Sequence, residues 1–124
     1  MSIGCRENAD YTVLSSVKSP KSALSAMLVR RRSHEALTSD VYYVLVVDEG
    51  YNLSDLAKTA HSDDPVLVAT SAETVRIRWV DDIHIELICD QCGITKIDVM
   101  EKKEKLKSIE IAYKGFPQGT ADSN

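Results

Sequence analysis

The chain has 124 residues, 44% of them hydrophobic and 27% charged, with a formal net charge of −4. That is the size of one domain, long enough to bury roughly two-thirds of its unfolded surface without a metal or disulfide staple. The acidic balance argues against the concentrated basic surface that phosphate binding needs, so no nucleic-acid partner is expected, and no apolar run reaches membrane-spanning length.

In chain order, residues 1–10 (MSIGCRENAD) are polar and aperiodic and read as a flexible tether. YTVLSSV (11–17) has the β-branched and aromatic content of a strand. Pro20 then marks a turn, holding its own φ and pushing Ser19 toward an extended conformation. Residues 23–32 (ALSAMLVRRR) fit two patterns. Ser19 and Pro20 could start a helix of good helix formers, yet the run also alternates as a strand would. The cluster Arg30, Arg31 and Arg32 reads as a strand running out to solvent rather than a phosphate site.

VYYVLVV (41–47) is the strongest strand signal, and its unbroken apolar character implies burial on both faces. Residues 51–65 carry one helical turn or a long loop, and VLVAT (66–70) is short and apolar. Residues 73–89 read as a hairpin turning at Asp81 and Asp82. Val75, Ile77 and Trp79 share one face of it, and Ile83, Ile85, Leu87 and Cys89 share another. Arg76 and Arg78 stand to pair across the outer face with His84 and Glu86. ITKIDVM and LKSIEIAY read as a second hairpin around the charged EKKEK, and residues 115–124 as a flexible tail. The pattern predicts an all-β, mainly antiparallel domain over residues 11–114, a small sandwich or open barrel with at most one short helix. Its core is expected to include Val44, Val46, Val75, Ile77, Trp79, Ile85, Leu87, Ile109 and Ile111.

Taken together, CRENADYTVLSSVKSPKSALSAMLVRRR, DVYYVLVV, GYNL, VRIRWVDDIHIEL and IEIAY resemble a family of small bacterial proteins of unknown function. Those proteins commonly carry a lipoprotein signal, a hairpin opened by Ser-Pro, a Trp-containing strand followed by an acidic turn, and a last strand ending in Tyr. The resemblance runs from Cys5 to Tyr113 and leaves out HEALTSD and CDQC. It implies that residues 23–32 are extended. It implies no active site.

Candidate chemistry is sparse. Cys89 and Cys92 supply two thiols, whereas structural zinc takes four ligands, and neither Cys5 nor His34, His61 or His84 stands at a finger-like spacing from them. A thioredoxin-type pair begins a helix, while this one follows a strand. The expectation is no metal and no cofactor, with Cys89 and Cys92 free or joined in a local disulfide. Asp63-Asp64 and Asp81-Asp82 have turn chemistry as their explanation. Nucleophile elbow, P-loop and EF-hand patterns are absent from the sequence, so no catalytic residue is assigned and the protein is not expected to be an enzyme.

Cys5, preceded by Gly4, sits where a lipoprotein signal peptidase would leave it, although the charged and apolar regions of a signal are missing upstream. Either a signal has been removed or the Gly-Cys pair arose by chance in a cytosolic protein. With the resemblance the first is favoured, which implies lipid attachment at Cys5. Two functions follow. One is a non-catalytic domain in the bacterial envelope, facing the periplasm, lipid-anchored, and binding a protein or envelope component. The other is a cytosolic binding inhibitor such as a toxin-immunity protein.

Overall fold

The computed structural model describes residues 9–35, 39–62, 64–92 and 96–117. Nine strands and one short α-helix occur among them: β1 (Ala9–Lys18), β2 (Leu24–Ser33), β3 (Val41–Asp48), α1 (Leu56–Ala60), β4 (Leu67–Thr70), β5 (Val75–Asp81), β6 (His84–Cys89), β7 (Asp98–Lys102), β8 (Lys105–Leu106) and β9 (Ile109–Lys114). They form two sheets, ordered β1-β2-β3-β4-β7 and β5-β6-β9-β8. The protein is an all-β sandwich. All pairings are antiparallel except β6 with β9, which is parallel.

Residues 23–32 are extended because Ser19 is committed to a hairpin. Its N–H donates to Leu24 O at 3.0 Å, which closes the β1–β2 hairpin, and its hydroxyl donates to Ser22 O at 2.9 Å inside that turn. The mixed periodicity of this run has a physical cause: β2 is buried on both faces. Ala26 and Leu28 join Tyr42, Val44, Ile77, Trp79, Ile85 and Leu87 between the sheets. Met27 and Val29 turn the other way, where they join Tyr43, Leu45 and Val47 beneath Leu56 and Ala60 of α1. The expected inter-sheet core is therefore present, with only Val46 half-buried rather than buried. The second core, on the far side of the larger sheet, gives β3 the two-faced burial expected of it and extends that burial to β2, where it was not expected.

Two details of strand placement depart from expectation. The second hairpin does not form, since β7 pairs with β4 in the larger sheet while β9 pairs with β6 in the smaller. The crossing is pinned by the Lys103 N–H, which donates to Val66 O at 2.8 Å, and by the Ile111 N–H, which donates to Glu104 O at 3.0 Å. The part-buried Tyr113 hydroxyl reaches Val66 O at 2.9 Å and Lys103 O at 2.6 Å. Burial pushes that hydroxyl well above the ordinary phenol range. The first hairpin turns one residue later than expected, at Asp82 and Ile83, because Asp81 Oδ1 accepts the Ile83 N–H at 2.9 Å. Ile83 is consequently exposed instead of sharing a face with Ile85.

Register slips fall at Val13/Ser15 in β1, Trp79/Asp81 in β5 and across Val68/Ala69 opposite β7. The residues displaced by them are Leu14, Val80 and Met100, three of the large exposed hydrophobic side chains. All three strands are sheet edges. A bulge interrupts the row of free backbone groups that another chain would need for edge pairing.

β1 begins at Ala9 rather than Tyr11, so two residues of the expected tether belong to a strand. Phe116, expected in the tail, stacks edge-on against Tyr113 with ring centroids 5.3 Å apart and packs on the core. Residues 1–8 and 118–124 lie outside the described residues.

Candidate functional site

The outer face of β5, β6 and β9 gathers most of the charged side chains that the alternation pointed outward. Strand period places Arg76, Arg78 and Glu86 there. Parallel pairing then sets Glu110 opposite His84 and Ala112 opposite Glu86. Glu86 is the centre. Its side chain is 14% exposed and takes Arg78 Nη1 on one oxygen at 2.7 Å and Lys114 Nζ on the other at 3.0 Å. The Lys114 hydrogen bond, followed by that from Arg78, holds the Glu86 carboxyl below the usual carboxylate range against the opposing effect of burial.

Arg76 pairs with Asp90 rather than with His84 or Glu86, through Nε at 2.7 Å and Nη2 at 3.2 Å. His84 instead lies between two carboxylates. Its Nδ1 is 2.8 and 3.0 Å from the oxygens of Asp81, and its Nε2 is 3.6 Å from Glu110. The hydrogen bond to Asp81 raises the His84 pKa, while the Ile83 N–H and then His84 lower that of Asp81.

Beside this network is a depression of about 400 Å³ lined by Val80, His84, Ile85, Glu86, Glu104, Glu110, Ile111 and Ala112. Ala112 leaves room between the flanking strands, and the bulged Val80, 48% exposed, forms an apolar wall. Sequence reasoning picked out Arg78, His84 and Glu86 but missed Glu104, Glu110 and Val80. The first two arrive through the parallel pairing and the sheet crossing, neither of which leaves a local signal. Val80 arrives through a bulge.

The remaining sequence candidates are dispersed. Cys89 and Cys92 are joined as a disulfide with Cα atoms 5.5 Å apart. Cys89 is buried and Cys92 packs against the core. His34 Nε2 lies 2.9 Å from Asp10, and His61 Nε2 lies 3.0 Å from the Tyr11 hydroxyl. Among the described residues, no group of His, Cys, Asp and Glu side chains could hold a metal ion. Arg32 is exposed and lies 3.5 Å from Asp40, while Arg30 and Arg31 are half-buried in β2, so the arginine cluster does not present one basic surface. Cys5 and Asp63 lie outside the described residues. No family model, no curated protein and no solved structure matches the chain.

The network has a definite pH signature. His84 has a raised pKa, so its contribution to stability is fully present below the unfolded histidine pKa of about 6.5 and is lost as pH rises through the folded value. Asp81, Glu86 and Asp90 have lowered pKa values, so their contributions are present above the unfolded carboxylate range and vanish as pH falls through the folded values. Thermal melts of wild type and His84→Gln should therefore differ most under mildly acidic conditions and converge at alkaline pH. A difference that grows with pH would contradict the assignment.

Proposed function

We propose that the protein is a non-catalytic binding domain that receives a positively charged segment of a protein partner on the outer face of β5, β6 and β9. The observation that carries this reading is the depression itself, where Glu104 and Glu110 flank a small Ala112 floor and an exposed apolar Val80. Glu86 is held by two cations and Glu110 lies 3.6 Å from His84, so Glu104 and Glu110 are the carboxylates of the depression that no Lys or Arg pairs with among the described residues. A Lys or Arg side chain suits this surface, its stem lying on apolar atoms and its charge meeting carboxylate.

Tetralysine peptide is a direct probe. Added to isotope-labelled protein, it should shift the amides of residues 80–86 and 110–112, and Glu104→Lys with Glu110→Lys should abolish the shifts. Equal shifts over every acidic patch would reject this surface.

In this reading the domain works in the bacterial envelope, facing the periplasm and held to the membrane by a lipid on Cys5. The Cys89–Cys92 disulfide supports that placement, because such bonds persist in oxidising compartments. Fractionation of cells expressing the genomic reading frame, with Cys5→Ala in parallel, tests it. Wild type in the membrane fraction and the variant released is the expected result. A cytosolic wild type with unmodified Cys5 would instead leave the same face to a cytosolic inhibitor such as an immunity protein.

A further inference from the structure

A second concavity, of about 400 Å³, opens at the end of the sandwich away from the disulfide. Leu24 begins β2, Val46 lies near the end of β3, and Leu106 and Ile109 flank the β8–β9 turn. Leu24, Val46 and Leu106 pack on the inter-sheet core yet remain half-exposed. The reason is geometric: β8 is only 2 residues long, so the smaller sheet stops short of covering the end of the larger one. The cavity is of ligand size, and its lining is mixed: Leu24, Val46, Leu106 and Ile109 supply apolar surface, and about as much of the wall is polar.

Its rim carries Asp48, Asp64 and Lys107, two carboxylates against one ammonium. Among the described residues, neither Asp48 nor Asp64 takes part in an ion pair, in contrast to Glu86, Asp81 and Asp90 on the other face. The β8–β9 turn also holds Lys107 at φ 56°, a left-handed conformation normally left to glycine or asparagine. Gly50, on the opposite wall, has open space where a side chain would stand.

We infer that this mouth binds a small cationic amphiphile, its apolar body on Leu24, Val46, Leu106 and Ile109 and its ammonium group facing Asp48 and Asp64. The floor selects apolar bulk and the net negative rim selects the sign of the head group. The site is separate from the β5-β6-β9 face and stands whether or not that face binds protein.

Decylammonium below its micellar concentration is the probe, with decanoate and decan-1-ol as partners of equal chain length. Decylammonium should bind saturably and shift the amides of Leu24, Gly50, Tyr51 and Ser108. Its affinity should fall about three- to tenfold in Asp48→Asn/Asp64→Asn, the range expected for losing two solvent-accessible ion pairs. Gly50→Phe, which adds bulk at the rim without meeting another atom at Cβ, should weaken binding while leaving the melting temperature near wild type. Equal affinity for all three amphiphiles, or shifts confined to other surfaces, would overturn the inference.

Discussion

Replacing Trp79 by Ala should destabilise the protein by about 3–5 kcal/mol, the cost typical of removing a buried aromatic side chain, and lower its melting temperature by about 10–20 °C. Trp79 is 9% exposed and lies among Ala26, Leu28 and Ile77 where β5 meets the larger sheet. It also ties the sheets together directly, since its indole Nε1–H donates to Val17 O in β1 at 2.8 Å. The substitution removes apolar volume and leaves a part-buried carbonyl without its donor. Trp79→Phe separates the two effects: it keeps most of the volume and should cost about 1–2 kcal/mol for the lost hydrogen bond. Urea unfolding followed by far-UV circular dichroism checks both variants. A loss below about 1 kcal/mol for Trp79→Ala would mean that the sheets are not joined through this side chain.

Gly115→Ala should cost about 2 kcal/mol or more, although Gly115 itself is exposed. Its φ is 81°, and a Cβ there would stand 2.4 Å from the Cys89 carbonyl oxygen and 3.3 Å from its carbon. The end of β9 passes against the backbone of the disulfide turn, and only a residue without a side chain fits. The obstacle is main chain that is itself fixed by the β6 ladder and the Cys89–Cys92 bond, so it cannot rotate away. Gly50→Ala is the control. Its Cβ meets nothing within 4 Å, and the change should stay within about 0.5 kcal/mol of wild type. Comparable melting curves for the two alanine variants would refute the close approach at Cys89.

The candidate surface was partly legible. Arg78 and Glu86 follow from strict alternation on either side of an acidic turn, a local pattern that needs no knowledge of the rest of the chain. Lys114 and Glu110 do not, because they reach Glu86 and His84 only through the parallel β6–β9 pairing. Parallel strands are joined by long crossovers rather than by turns, so their register has no short-range signature. The amphiphile site was not legible at all. Val46 reads as an ordinary core residue, and it remains half-exposed with Leu24 and Leu106 because β8 stops after 2 residues.

By itself, the sequence determined that the chain is a β domain of alternating strands, that Val75, Ile77, Trp79, Ile85 and Leu87 face inward, and that Arg78 and Glu86 face out. These are consequences of side-chain period and turn chemistry, which act over a few residues. Tertiary structure decided where each strand lies. It sent β7 to the larger sheet and β9 to the smaller, an arrangement in which the Tyr113 hydroxyl and the Lys103 N–H both satisfy Val66 O. It also buried both faces of β2, since α1 covers a surface that an isolated sandwich would leave to water; for β3 the unbroken apolar run already indicated as much. Contacts between residues distant in the chain depend on which surfaces remain uncovered after the local elements have formed, and that is a property of the assembled sheets rather than of any segment.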